Sequence, residues 1–125
     1  MATIMIADDE PDIRDLVSFT LRFAGHTVIA YSNGAEVVEA ARTAQPDLIL
    51  MDVRMPRMTG YEACQALRAD PLTAAIPVVL LSAKGQEEEI RTGLESGASE
   101  YMLKPFAPMD LSARVNELLV RYGKK

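Results

Sequence analysis

The sequence predicts an α/β fold with a five-stranded parallel sheet, strand order 2-1-3-4-5, flanked by five helices. Three observations lead there. Short β-rich runs alternate with segments of helical period along the whole chain. Most of these runs are nearly continuous in apolar residues, as strands covered on both faces are. The βα unit recurs, and such alternation joins parallel strands by right-handed crossovers.

The strand runs are Thr3–Ala7 (TIMIA), Thr27–Tyr31 (TVIAY), Leu48–Val53 (LILMDV), Pro77–Ser82 (PVVLLS) and Glu100–Leu103 (EYML). After the first run, Ile13, Leu16, Val17, Leu21 and Ala24 form a helical stripe that Gly25 ends as a C-cap. Gly34, Val37, Val38 and Ala41 form the second stripe, and Gly60, Ala63, Cys64 and Leu67 the third. Ile90 and Leu94 mark a weaker fourth, closed by Gly97. Leu111, Val115, Leu118, Leu119 and Tyr122 mark the fifth.

At 125 residues the chain is read as one domain, residues 1–125, large enough for a core without staples. Apolar residues make up 49 % and charged residues 25 %, which is globular rather than disordered composition. The formal net charge of −5 argues against direct nucleic-acid binding by this domain. One cysteine excludes an intrachain disulfide framework and a multi-cysteine zinc site. No apolar run is long enough to span a membrane, and MATIMIADDE is no signal peptide. A cytoplasmic setting is expected.

In open α/β sheets ligands bind beyond the carboxyl ends of the strands. Run one ends in Asp8, Asp9 and Glu10. Run three carries Asp52, run four ends in Ser82, and run five is followed by Lys104. In the predicted order these ends are adjacent, so acids, a hydroxyl and an ammonium face one shallow crevice. Each has a plainer reading: Asp9 as the N-cap of a helix starting near Pro11, Asp52 as a turn former, Ser82 as a loop hydroxyl, Lys104 as a solvated lysine. Asp52, however, follows four apolar residues, where burying a charge is costly.

Three clustered carboxylates repel one another unless a cation intervenes. Mg²⁺, a hard cation with oxygen ligands, suits the set and leaves room for a phosphoryl group. Asp52 is then positioned as a nucleophile forming an acyl phosphate, with Lys104 neutralising phosphoryl oxygens and Ser82 donating a hydrogen bond. The sole histidine, His26, falls in a turn at the opposite end of the sheet and is read as a surface residue, not a phosphohistidine. Cys64 and most of the methionines are read as packing.

With these residues in view, the sequence resembles the receiver domains of two-component response regulators, the family of the chemotaxis regulator CheY. The resemblance rests on ADDE at 7–10, LILMDVRMPRMTG at 48–60, VVLLSAK at 78–84, GAS at 97–99 and YMLKPF at 101–106. It implies a flavodoxin-like fold, Asp52 as phosphoacceptor, and Mg²⁺ held by Asp8, Asp9, Asp52 and the backbone carbonyl of Arg54. It implies Ser82 as the hydroxyl position, Tyr101 as the aromatic switch, Lys104 as the family's lysine, and a cis Lys104–Pro105 bond. The partners implied are a sensor histidine kinase or histidine phosphotransfer protein and a downstream output protein or domain. Phosphorylation would draw Ser82 toward the phosphoryl, turn Tyr101 inward, and remodel the surface of helix 4, strand 5 and helix 5. No activity is implied beyond the domain's own phosphorylation and dephosphorylation.

KPFAPMDLSARV at 104–115 further resembles receivers attached to winged-helix DNA-binding domains. Glu100, Asp110 and Arg114 match their ion-pair pattern for a homodimer, whereas Arg91 stands where a small apolar residue is usual. No output module follows within the 125 residues, so the chain is read as a stand-alone receiver or one excised from a longer regulator. Two alternatives remain open on the sequence: a non-phosphorylated scaffold of the same fold, and a phosphatase of the haloacid dehalogenase type. The latter's Asp-x-Asp pair is absent, because Asp9 is followed by Glu10 and Pro11.

Overall fold

The computed structural model describes residues 2–83 and 87–123, without the side chains of 83 and 87–90. The order is β1 (Thr3–Ala7), α1 (Pro11–Phe23), β2 (Thr27–Tyr31), α2 (Gly34–Ala44), β3 (Leu48–Asp52), α3 (Gly60–Ala69), β4 (Val78–Ala83), α4 (Glu87–Glu95), β5 (Glu100–Lys104) and α5 (Pro108–Arg121). All pairings are parallel, and the sheet order is β2-β1-β3-β4-β5, as the sequence predicts.

The continuous apolar runs exist because both sheet faces are covered. Ile4, Ile6, Leu48, Leu50, Val79 and Leu81 point to one face, where they meet Val17 and Leu21 of α1 and Leu111, Val115 and Leu118 of α5. Met5, Ile49, Met51, Val78 and Leu80 point to the other, against Val37 and Ala41 of α2 and Ala63, Cys64 and Leu67 of α3. Alternate residues of one strand thus feed two separate cores, as period-2 geometry requires.

Helix ends follow local chemistry. Asn33 caps α2 by accepting from Glu36 N, and Thr59 with Glu62 forms a capping box at α3. At the end of α1, Gly25 takes φ 100° just after the cap residue Ala24. Its N–H donates to the Arg22 carbonyl, and His26 N–H donates to Leu21, closing the last turn.

Several boundaries differ from the sequence reading. β3 stops at Asp52, one residue early, because the chain turns there into the loop before α3. β4 starts at Val78 rather than Pro77, since proline has no N–H for the ladder. β5 extends to Lys104, paired with Ala83. Leu94 is 45 % exposed, and small Gly93 and Ser96 are buried instead, so α4 approaches the sheet closely through them. Ala24 and Tyr122 are also exposed, each standing at a cap position past its helix. The side-chain reading of Ile90 lies outside the described residues.

Candidate functional site

The carboxyl edge of the sheet brings together the acids of β1 and β3 and the lysine of β5. Asp8 is fully buried, Asp52 is 7 % exposed, and Asp9 stands in solvent. One carboxylate oxygen from each lies within 4.8 Å of the other two. Lys104 Nζ sits 3.0 Å from Asp8 Oδ2, 3.1 Å from Asp52 Oδ1 and 3.2 Å from Glu10 Oε1. Around them lies a cavity of about 310 Å³ lined by Asp9, Glu10, Asp52, Val53, Arg54, Leu81 and Lys104.

The local backbone aims these groups. Asp8 Oδ1 accepts from Glu10 N–H at 3.0 Å, and the Asp8 carbonyl accepts from Arg14 Nη1 at 2.7 Å. Both bonds hold the β1–α1 turn. Asp9 makes no N-cap: α1 starts at Pro11, the cap position is Glu10, and no side chain caps the helix. After β3, Gly60 N–H donates to the Val53 carbonyl at 2.9 Å, folding the loop back beside Asp52. A Cβ on Gly60 would stand 2.5 Å from the Asp52 carbonyl oxygen, so only glycine permits this approach. The Lys104–Pro105 bond is cis, as the resemblance implied.

Burial pushes the Asp52 carboxyl up from 3.8 to about 6, reinforced by the charge of Asp8 against the pull of Lys104. For Lys104, burial opposes the charge, but the hydrogen bonds and charges of Asp8 and Asp52 outweigh it and hold the ammonium above the ordinary lysine range. Among the described residues, Asp8, Asp52 and Glu10 share the Lys104 ammonium.

Ser82 is buried at the end of β4 but does not line this cavity. It borders a separate crevice with Leu80, Gly93, Leu94, Ala98 and Tyr101, too narrow to hold a water. Tyr101 is half-buried on β5, opposite Leu80. His26 lies away from the site, where its Nδ1 accepts from Ala2 N–H at 3.2 Å. Cys64 is buried in the core, and burial raises its thiol further.

Known proteins share this fold and sequence. The family model for the response regulator receiver domain matches residues 4–116. The chain belongs to the receiver domain family of response regulators. It is 44 % identical over 121 residues to the DNA-binding dual master transcriptional regulator RpaA of a Synechocystis species, covering 97 % of this chain and 50 % of that protein. The receiver domain therefore spans about half the length of the curated relatives it matches. Among solved structures, the chemotaxis response regulator CheY4 of Vibrio cholerae superposes with a TM-score of 0.89 at 34 % identity, covering 95 % of this chain and 99 % of that one. The receiver domain of the Pseudomonas aeruginosa sensor histidine kinase PA1611, described with magnesium coordinated in its active site cleft, superposes with a TM-score of 0.85 at 28 % identity, covering 97 % and 96 %.

The receiver's own donors fit a hard cation. Asp8 Oδ2 is buried, and the Lys104 ammonium lies 3.0 Å from it. A buried carboxylate oxygen grouped within 4.8 Å of two further carboxylates is the donor set oxygen-seeking cations take. The sequence reading placed Glu10 in the acidic cluster but gave it no role; its reach to Lys104 depends on side-chain length, which strand ends do not reveal. Among the described residues, no helix is long and apolar enough to cross a membrane.

Proposed function

We propose that residues 1–125 form a phosphorylation-dependent signalling receiver that accepts a phosphoryl group on Asp52. The carrying observation is the buried Asp52 carboxylate, 3.1 Å from Lys104 Nζ and clustered with Asp8 and Asp9 at the mouth of a small cavity. A sensor histidine kinase or histidine phosphotransfer protein supplies the group. An Asp52 oxygen attacks phosphorus, the P–N bond to the donor histidine breaks with its electron pair going to nitrogen, and the imidazole, already protonated on its other nitrogen, leaves neutral. No base is required, because the attacking carboxylate is already ionised near neutral pH.

Asp8, Asp9, Asp52 and the backbone carbonyl of Arg54 would hold Mg²⁺. When bound, the ion neutralises charge on the phosphoryl oxygens and relieves the repulsion among the acids. Lys104 supplies the fixed charge for the transferring group. Ser82 must turn out of its crevice to donate to the phosphoryl. That turn frees volume beside Gly93 and Leu94, into which Tyr101 can rotate, changing the face of α4, β5 and α5. Partner binding, or a homodimer through that face, reads the change. The dimer needs Arg114 to leave Glu100, with which it pairs inside the chain at 2.9 Å. The domain acts in the cytoplasm, turns over no outside substrate, and touches no nucleic acid itself; any DNA binding belongs to a longer regulator of the kind RpaA is.

The test is incubation with acetyl phosphate and Mg²⁺, following a hydroxylamine-sensitive mass gain. Gain in the wild type and none in Asp52→Asn supports the reading. Gain in Asp52→Asn, or gain indifferent to chelation of Mg²⁺, overturns it. No gain at all favours the scaffold, and rapid turnover of phosphomonoesters favours the phosphatase. Tyr101→Ala should weaken partner binding more than phosphorylation; equal losses would remove its switch role.

A further inference from the structure

Arg14 is half-buried in the first turn of α1, and its Nη1 donates to the Asp8 carbonyl at 2.7 Å. It pairs with no carboxylate among the described residues. The carbonyl it meets lies past the end of the ladder. Pairing of β1 with β2 ends at Ala7 and Tyr31, and the Asp8 N–H still donates to the Tyr31 carbonyl at 3.2 Å. The next donor along that side of the ladder would be Asn33 N–H, but Asn33 has left the strand to cap α2. Arg14 takes its place, and a charged donor binds a carbonyl more tightly than a neutral one.

The Asp8 carbonyl belongs to the planar peptide that joins Asp8 to Asp9, so fixing it fixes where Asp9 leaves the backbone. Two of the three clustered carboxylates have other holds. Lys104 meets both Asp8 and Asp52, and Glu10 N–H donates to Asp8 Oδ1. Asp9 is exposed and its carboxylate has no hydrogen bond or ion pair among the described residues. Its place within 4.8 Å of the other two therefore rests on the backbone of the β1–α1 turn. The Glu10 bond to Asp8 is internal to that turn, whereas the Arg14 bond ties the turn to the body of α1.

We propose that Arg14 is a positioning residue for the Mg²⁺ site: by gripping the Asp8 carbonyl it presents the Asp9 carboxylate to the cation without touching the ion itself. The proposal deepens the phosphorylation reading and rests on the Mg²⁺ site which that reading uses. It also has a distinctive sign. Removing a nearby positive charge by itself favours cation binding, whereas loosening the turn disfavours it.

Titrating the 125-residue chain with Mg²⁺ alone, and following the amide NMR signals of Asp9 and Glu10, tests it. Arg14→Met should raise the Mg²⁺ dissociation constant about tenfold. Arg14→Lys should return it to within about threefold of wild type, because a single nitrogen makes the bond that must be replaced. Arg22→Met is the control. Arg22 Nη2 makes the same kind of bond, to the Val28 carbonyl at 3.0 Å, at the far end of the same helix. Its loss should lower the urea midpoint comparably and leave Mg²⁺ affinity unchanged. With acetyl phosphate, Arg14→Met should need about tenfold more Mg²⁺ for half-maximal phosphorylation, with the rate at saturating Mg²⁺ kept within about threefold. A dissociation constant that stays the same or falls in Arg14→Met, no rescue by lysine, or an equal change in Arg22→Met would overturn the proposal. So would a wild type that takes up no Mg²⁺. A wild type that binds Mg²⁺ but gains no phosphoryl group would overturn the phosphorylation reading instead, and the Mg²⁺ titration alone would then decide the role of Arg14.

Discussion

Lys104 Nζ lies 3.1 Å from Asp52 Oδ1, although β5 and β3 are not neighbours and β4 runs between them. The lysine reaches over the end of β4 and also meets Asp8 on β1 at 3.0 Å. One ammonium therefore ties together three strands of the sheet at their carboxyl ends. Its removal should be costly. We expect Lys104→Met to destabilise the metal-free protein at pH 7 by about 2–4 kcal/mol, because the buried carboxylates of Asp8 and Asp52 lose the ammonium they both contact. The loss should shrink near pH 5, where Asp52 takes up a proton. Urea unfolding at the two pH values checks this, and an equal loss at both would show that packing of the lysine stem is what matters.

Asp52 carries the opposite liability. Its carboxyl titrates at about 6 when folded and 3.8 when unfolded. The native state therefore binds more protons than the unfolded state between these values, so this group's contribution falls as pH rises through about 6. Asp52→Asn removes the titration. In metal-free buffer it should match the wild type below pH 4 and exceed it at pH 7 by about 1–3 kcal/mol. Added Mg²⁺ should narrow the gap by stabilising the wild type more than the variant. Thermal unfolding from pH 4 to 8, with and without Mg²⁺, measures both; a gap independent of pH would remove the electrostatic account.

What made Asp52 and Lys104 visible in the sequence is that each interrupts or ends an apolar run, and a charge beside a buried strand has few reasons to be there. The sheet order then placed both at one edge without any knowledge of side-chain reach. Reach is where the reading stopped. Glu10 contacts the same lysine at 3.2 Å, and nothing in its neighbours announces that. Ser82 borders the narrow crevice with Tyr101 at the same edge of the sheet, a neighbour that strand ends alone do not reveal. Periodicity failed at α4 for a related reason: Leu94 looks like a core residue, but close packing runs through Gly93 and Ser96, which carry little hydrophobic signal.

Two glycines near the site should respond differently to one added methyl group. At Gly60 a Cβ meets the Asp52 carbonyl oxygen at 2.5 Å and Val53 Cα at 3.0 Å, both backbone. At Gly93 the closest atom is Leu80 Cδ1 at 2.6 Å, the end of a side chain that can rotate. Gly60→Ala should cost about 3 kcal/mol or more and slow Asp52 phosphorylation, since the acceptor's own backbone must move. Gly93→Ala should cost about 1 kcal/mol and leave phosphorylation nearly unchanged, while filling part of the crevice beside Tyr101. Unfolding and phosphorylation rates measured side by side separate them; equal effects would show that both helices yield as readily as a side chain does.

Arg68, at the end of α3, holds two distant loops at once. Its Nε donates to the Gly97 carbonyl at 2.8 Å, Nη1 donates to the Ile76 and Ala74 carbonyls at 2.7 and 3.2 Å, and Nη2 donates to Ser99 Oγ at 3.2 Å. These acceptors flank the start of β4 and the turn into β5, the two strands that carry Ser82 and Lys104. Sequence reading passed over Arg68 because its partners are backbone carbonyls, which no residue type reveals. Arg68→Ala should leave several carbonyls without a charged donor and cost about 2–3 kcal/mol. Arg68→Lys should recover only part of that, since one ammonium cannot span the fork's acceptors. Both variants should slow phosphorylation of Asp52 modestly by loosening the register that positions Lys104, and hydrogen exchange should quicken first at Val78 and Ser99. If exchange quickens instead throughout α3 with β4 and β5 unchanged, Arg68 serves its own helix and not the edge of the sheet.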